Sequence, residues 1–212
     1  MKVSPAKENI LKKIRLALSE PTPIPFPQSE GNSSVYQPSR QEKEVEFAEQ
    51  FAGVQGKFIY CADQPEMLQQ LKLLIAQNAW TQIFCRESAL RQMLDEPLKG
   101  LITQSGLPEA DAAITSCELL VARTGSILLS TGQESGRTVS VYAPVHICIA
   151  YSSQLVYDIR EGLEFLQEKY KNKLPSLITL ATGPSRTADI EKTLVVGVHG
   201  PKDVYVFLID AE

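Results

Sequence analysis

The stretch from Lys57 to Cys85 reads KFIYCADQPEMLQQLKLLIAQNAWTQIFC. Its two ends, Lys57–Cys61 and Gln82–Cys85, are short apolar runs typical of buried strands. Between them, Pro65–Asn78 places its apolar residues at helical spacing, and a proline suits the first turn of a helix. A strand, a helix and a strand in this order predict two parallel strands of one sheet joined by a crossover helix.

The rest of the chain extends this pattern, with more candidate strands than helices in the second half. This favours an α/β domain with a mixed sheet and flanking helices, which we expect to occupy residues 42–212. The further predicted helices are 42–51, one that ends near Leu94, and 158–170. The further predicted strands are 111–114, 126–130, 138–142, 145–151, 177–181, 193–198 and 204–209.

The N-terminal segment differs in composition from the rest. Residues 6–18 place apolar side chains at helical spacing, and four prolines within residues 21–27 favour extended geometry. The sequence therefore predicts an amphipathic helix in residues 1–20 and a proline-rich arm over residues 21–41. Two interpretations stay open, because an isolated short helix is marginal in water: a frayed terminus, or an arm that docks on a partner or builds a homo-oligomer.

The composition excludes several classes of protein. The 212-residue chain is 43% hydrophobic, which suits one substantial core. Its formal net charge of -4 argues against nucleic acid as a partner, because nucleic-acid binders usually carry a basic surplus. No stretch approaches the ~20 apolar residues that span a bilayer, and no apolar signal core opens the chain. We therefore expect a cytoplasmic protein without a membrane span.

Metal-binding patterns are missing from the sequence. The four cysteines are widely separated and form no C-x-x-C pair, whereas iron–sulfur and structural zinc sites usually need closely spaced ligands. The two histidines, His146 and His199, are too few for a convincing metal site. We therefore expect no metal site, and buried, reduced thiols.

A glycine turn between two apolar runs is the first candidate site. It contains Arg123, Thr124, Gly125 and Ser126. Small residues beside a glycine let backbone N–H groups approach an anion, and Arg123 could donate two hydrogen bonds to a carboxylate or phosphate. An ordinary strand-to-strand turn explains the same residues. The turn matches neither a P-loop nor a dinucleotide-binding motif.

Two further loops could bind an anion. One ends in Arg137, and the other, 182–187, leads from a predicted strand into a predicted short helix, where the helix N-terminus would favour negative charge. An ordinary capped turn is the alternative for the second loop. We expect the guanidinium groups of both loops to converge with that of Arg123 on one cleft. The candidate ligand-binding residues of the second loop are Gly183, Ser185, Arg186 and Thr187.

Four residues are candidates for proton transfer. His146 opens an apolar strand and His199 lies between two glycines, and a histidine titrates near neutral pH. A hydrogen-bonded structural role is the alternative for His146. Asp189 could act as a base or orient an arginine, and Glu118 is the nearest carboxylate on the N-terminal side of the glycine turn.

Six short motifs follow one another along the second half of the chain. They are Ala110-Asp-Ala-Ala-Ile114, Thr124-Gly-Ser-Ile127, Gly136-Arg137, Pro144-Val-His-Ile147, Thr182-Gly-Pro-Ser-Arg-Thr-Ala-Asp-Ile-Glu191 and Gly197-Val-His-Gly-Pro201. In this order they resemble the LutC/YkgG family of lactate-utilization proteins, also called the LUD domain, over roughly residues 45–212. Many members of that family carry Ala-Glu-Thr-Gly where this chain has Ala122-Arg-Thr-Gly125.

The resemblance implies an α/β fold like that of the NagB/RpiA/CoA-transferase superfamily. It also implies a role in oxidising L-lactate to pyruvate with two iron–sulfur partner proteins. In that role, we expect the three arginines to bind a small carboxylate or a phosphate-bearing ligand. No cofactor is identified. Two other functions stay open: a stand-alone CoA-transferase-like enzyme acting on an acyl-CoA or sugar phosphate, and a non-catalytic assembly or ligand-binding module.

Overall fold

The computed structural model describes residues 5–19, 38–39, 41–171, 173–190 and 193–210. The chain divides into two units, residues 1–38 and 39–212. The first unit contains helix α1 (Pro5–Ser19), in the segment where the sequence predicts an amphipathic helix. Nearly all of the proline-rich arm predicted over residues 21–41 lies outside the described residues, so its conformation stays a prediction.

The second unit alternates helices and strands. Its helices are α2 (Lys43–Gly53), α3 (Gln64–Asn78), α4 (Ser88–Leu94), α5 (Val139–Tyr142) and α6 (Ile159–Tyr170). Its first strands are β1 (Lys57–Cys61), β2 (Ile83–Cys85), β3 (Ile102–Thr103), β4 (Ala112–Thr115), β5 (Leu119–Val121) and β6 (Ser126–Ser130). The others are β7 (Val145–Tyr151), β8 (Leu155–Val156), β9 (Ile178–Ala181), β10 (Arg186–Ile190), β11 (Thr193–Val196) and β12 (Asp203–Ile209).

Helix α3 begins and ends where its local sequence dictates. The Asp63 side chain accepts a hydrogen bond from the Glu66 N–H at 2.8 Å, and Pro65 lies in the first turn. Ala79 takes a left-handed φ of 53° and ends the helix. The buried side chains of α3 are Met67, Leu71 and Ile75. They pack on one face of the sheet that contains β1 and β2.

Six strands form a central sheet in the order β1-β12-β7-β4-β2-β3, and every strand pair in it is parallel. The two strands joined by α3 therefore run parallel in one sheet, as predicted, with β12, β7 and β4 between them. These three central strands are almost continuously apolar, as strands covered on both faces are.

A second sheet has the order β8-β5-β6-β9. Its β5–β6 and β6–β9 pairs are antiparallel and its β5–β8 pair is parallel, so the mixed pairing lies in this sheet. Together with α2, it covers the second face of the central sheet. The core between them includes Phe47, Phe51, Leu120, Ile127 and Val206. The α/β class with flanking helices is confirmed.

Two local predictions were wrong. Residues 138–142, predicted as a strand, contain the short helix α5. The helix predicted to start at Thr187 is instead β10, which pairs antiparallel with β11. β-branched residues such as Thr187 and Ile190 favour that hairpin, and the expected helix N-terminus is therefore not available to bind an anion.

The four cysteines are buried and free, as expected. Burial raises the pKa of the Cys61 thiol to about 11 and that of Cys85 to about 12, so both stay protonated at neutral pH. Within the described ranges, no helix combines the length and the apolar character that crossing a membrane requires.

Candidate functional site

Three of the six sequence motifs, those containing His146, Arg186 and His199, meet at the amino edge of the central sheet. There β7 and β12 begin, and a cavity of about 460 Å³ opens beside their first residues. We call it the amino-edge cavity. Five of the residues predicted from the sequence line it: His146, Gly183, Ser185, Arg186 and His199.

His146 is the buried polar residue of the amino-edge cavity, with 1% of its surface exposed. Its Nε2 lies 2.8 Å from Thr115 Oγ1. Burial lowers the pKa of the ring to about 4, so His146 is neutral at neutral pH. A neutral imidazole can exchange a hydrogen bond with a bound hydroxyl or carbonyl without adding charge.

Lowering the pH from 7 to 5 is expected to lower the free energy of unfolding by about 2 kcal/mol, because of His146. The ring has a pKa near 6.5 in the unfolded chain and about 4 in the folded one. The unfolded state therefore takes up the proton first, and stability falls as the pH drops through this window. Urea unfolding at both pH values measures the loss. His146→Gln should show about 2 kcal/mol less pH dependence, and an equal loss in both proteins would contradict a neutral buried ring.

Close backbone contacts hold the loop after β9 in place. Gly183 has a φ of +76°, and a Cβ at this position would collide with the carbonyl oxygen of Val54. Ser185 N donates a 2.9 Å hydrogen bond to the carbonyl of Pro201, which joins this loop to the segment before β12. The Arg186 guanidinium donates to the Val54 carbonyl and remains exposed on the wall of the cavity.

A chain of hydroxyl groups links the glycine turn to the amino-edge cavity. Thr124 Oγ1 lies 2.7 Å from Ser126 Oγ, which lies 2.8 Å from Thr182 Oγ1. Ser126 is buried, whereas Thr182 lines the cavity. The predicted ligand-binding residues Thr124 and Ser126 therefore lie behind the cavity wall and support it through Thr182.

The three predicted arginines do not all line the amino-edge cavity. Arg123 Nε donates to Asp158 Oδ2 at 2.7 Å, and Asp158 also caps helix α6, so this guanidinium fastens the glycine turn to that helix. Arg137 Nη2 donates to Ser176 Oγ at 2.7 Å, beside the start of β9. Only Arg186 of the three contributes to the lining that the structure describes.

The predicted proton-transfer residue Glu118 is fully enclosed. Its carboxylate accepts hydrogen bonds from Ser130 Oγ at 2.5 Å, Lys169 Nζ at 2.6 Å and Tyr170 Oη at 2.7 Å. Burial alone raises the pKa of Glu118, but these hydrogen bonds outweigh it and the pKa lies below its usual value. This arrangement ties β5 and β6 to α6, and the carboxylate does not line the amino-edge cavity.

The remaining predicted residues lie around the hairpin and the last loop. Thr187 pairs with Val195 in the β10–β11 hairpin. Asp189 belongs to β10, and its side chain lies outside what the structure describes. His199 is exposed at the mouth of the cavity, in the loop before β12.

Sequence reasoning missed the hydrogen-bond partner of His146, Thr115, because the two are far apart in the chain. It also missed a cleft of about 600 Å³ at the opposite, carboxyl edge of the central sheet, lined in part by Glu87 and Ser116. Ser116 donates to both Glu87 carboxylate oxygens, from its backbone N–H at 3.0 Å and from its hydroxyl at 2.5 Å.

The described side chains include no group of three or more histidines, cysteines or carboxylates placed to hold a metal ion.

Comparisons with known proteins agree with the motifs. The family model of the LUD domain matches residues 103–209, half of the chain. The chain is 34% identical over 116 residues to Lactate utilization protein C of Deinococcus radiodurans, covering 54% of this chain and 52% of that protein. It is 36% identical over 105 residues to Lactate utilization protein C of Bacillus subtilis, covering 48% and 44%. The chain thus spans about half the length of the curated relatives it matches.

A solved structure shares the fold. It is the crystal structure of a DUF162 family protein from Deinococcus radiodurans, with a TM-score of 0.58 and 20% sequence identity. The likeness covers 82% of this chain and 99% of that one. The likeness shows the fold, and the family model, which matches half of the chain, shows that the chain belongs to the LUD domain family.

Proposed function

We propose that the chain is a subunit of a cytoplasmic L-lactate utilization system, which oxidises L-lactate to pyruvate together with iron–sulfur partner proteins. In this subunit, the amino-edge cavity binds a small carboxylate or a phosphate-bearing ligand. The observation that carries the proposal is one space of about 460 Å³ lined by the Arg186 guanidinium and by both imidazoles, His146 and His199. The names of the two Lactate utilization protein C relatives support the pathway.

The charge of the cavity favours an anion. Arg186 is exposed on its wall, and no carboxylate belongs to the lining that the structure describes. A guanidinium presents paired donors that match the two oxygens of a carboxylate or phosphate. The volume lies in the range that accommodates small ligands.

The two histidines supply different chemistry. His146 is buried and neutral, so it orients a hydroxyl or carbonyl group by hydrogen bonding. His199 is exposed, so it can exchange a proton with water and with a ligand hydroxyl. Oxidation of lactate to pyruvate releases two protons and two electrons. In this proposal, a histidine accepts the hydroxyl proton, and a carrier on the iron–sulfur partners accepts the hydrogen of the Cα–H bond as two electrons and the second proton.

Replacing Arg186 by alanine is expected to weaken the binding of pyruvate about tenfold, because one charge-assisted contact is lost. Arg186→Lys keeps the charge but not the paired donors, so we expect an intermediate affinity. Isothermal titration calorimetry with L-lactate, pyruvate and inorganic phosphate measures these affinities. The matched control is Arg160→Ala, which removes an exposed guanidinium from α6.

Equal affinities in the wild-type chain and Arg186→Ala would contradict the proposed anion site. The pathway is tested separately by purifying the tagged full-length chain from its own cells. Iron–sulfur proteins that copurify with it support the proposed partners. An acyl-transfer activity without such partners would favour the CoA-transferase-like alternative.

A further inference from the structure

A groove on the second unit is bounded by helix α2, strand β1 and the residue that follows β12. Four acidic side chains and four exposed or half-buried apolar ones line it, and it encloses about 670 Å³. We call it the acidic groove. Its acidic residues are Glu42, Glu44, Glu49 and Asp210, and its larger apolar ones are Val45, Phe58 and Tyr60.

The acidic groove lacks compensating charge. No lysine, arginine or histidine is among its described lining residues, and none of its four carboxylates forms an ion pair within the described ranges. The negative charges of the groove affect Tyr60. The hydrogen bond from Tyr60 to Asp210 raises the pKa of the phenol, and the charges of Glu44 and Glu42 raise it further. An apolar surface with an uncompensated acidic rim suits a basic, amphipathic partner.

Helix α1 has these two properties. It carries four basic residues and one acidic residue, and its apolar side chains are exposed. Ile10, Ile14 and Leu18 recur every four residues and form an apolar stripe along the helix. All three are exposed to solvent, Ile10 by 58%, Ile14 by 48% and Leu18 by 79%. Lys13 and Arg15 flank Ile14, about 100° to either side of it on the helix. The stripe is therefore flanked by Lys13 on one side and by Arg15, together with Glu8, on the other.

We propose that helix α1 of one copy of this chain docks in the acidic groove of a second copy, with the apolar stripe against Val45, Phe58 and Tyr60. Docking of this kind is reciprocal in a two-fold dimer, because each copy provides one helix and one groove. The two contacts then bury twice the area of a single short helix. The inference is independent of the ligand of the amino-edge cavity.

Charge reversal in the full-length chain tests the docking. Glu44→Lys with Glu49→Lys leaves the groove with two positive and two negative charges, and Lys13→Glu with Arg15→Glu makes the border of the stripe acidic. Each double variant alone is expected to dimerise at least about tenfold more weakly than wild type. The groove variant loses its attraction to the basic border, and the helix variant sets an acidic border against an acidic groove. An equimolar mixture of the two should recover dimers. In the mixed pair, the basic border of one copy meets the acidic groove of the other, and the acidic border meets the introduced lysines. Sedimentation velocity measures all three samples.

The matched control reverses two exposed carboxylates elsewhere, Glu164→Lys with Glu168→Lys on α6, and should dimerise like wild type. Circular dichroism of every variant separates misfolding from weaker association. A wild-type chain that stays monomeric at all accessible concentrations would overturn the proposal. So would a mixture of the groove and helix variants that stays monomeric while both are folded. Neither result bears on the anion site, which calorimetry of Arg186 variants tests.

Discussion

Replacing Glu118 by alanine is expected to lower the free energy of unfolding by about 3 kcal/mol, since this removes one partner of a buried ion pair. The figure lies at the low end for such pairs because the Lys169 side chain is 47% exposed. Ser130 and Tyr170 also lose their acceptor. For a chain of this size the loss corresponds to a melting temperature roughly 6–12 °C lower. Thermal and urea unfolding measure both values.

The pH dependence of this contribution has a definite sign. Hydrogen bonds hold the pKa of Glu118 below its usual value, so the stabilisation is complete above the pKa of the unfolded chain. It disappears as the pH falls through the pKa of the folded chain. Glu168→Ala, which removes an exposed carboxylate from α6, the helix of Lys169, should change stability by less than about 0.5 kcal/mol. A Glu118→Ala protein that unfolds like wild type but no longer binds its ligand would point to a catalytic role instead.

Gly125→Ala is expected to destabilise the chain by about 3 kcal/mol through two effects. Gly125 has a φ of +58°, which costs an alanine roughly 1 kcal/mol. An added Cβ would also lie 2.5 Å from the backbone nitrogen of Phe51, and the α2 backbone has little freedom to move. Urea unfolding of the variant measures the total.

Gly100→Ala separates these two effects. Gly100 also has a positive φ, +84°, but nothing lies within 4 Å of an added Cβ. This control should therefore lose only the conformational part, roughly 1 kcal/mol. Equal losses in the two variants would show that the contact between the glycine turn and α2 is looser than the structure indicates. A larger loss of stability at Gly125 would show that the close contact between the glycine turn and α2 requires a residue without a side chain.

The sequence predicted the parallel sheet because the signals involved are local. Alternation of apolar runs and helical spacing identified β1, α3 and β2, and Asp63 and Pro65 mark the start of α3. The short strands β3, β5 and β8 have two or three residues each, too few for a periodic pattern. The positions of β3 and β8 depend on pairing with β2 and β5, which are distant from them in the chain.

The candidate site was predicted only in part, for a similar reason. Motif order identified the loops around His146, Arg186 and His199, which the structure brings to one cavity. Nothing local in the sequence showed that Arg123 pairs with Asp158 or that Glu118 pairs with Lys169, because each partner lies far along the chain. The sequence shows which side chains are charged, but the partners of each side chain in the folded protein decide whether it can bind a ligand.

The most direct test of the anion site is a crystal structure of the full-length chain grown with pyruvate. We expect electron density for the ligand in the amino-edge cavity, with its carboxylate within hydrogen-bonding distance of the Arg186 guanidinium and its keto oxygen beside His146 or His199. Density in the carboxyl-edge cleft beside Glu87, with the amino-edge cavity holding only solvent, would contradict it.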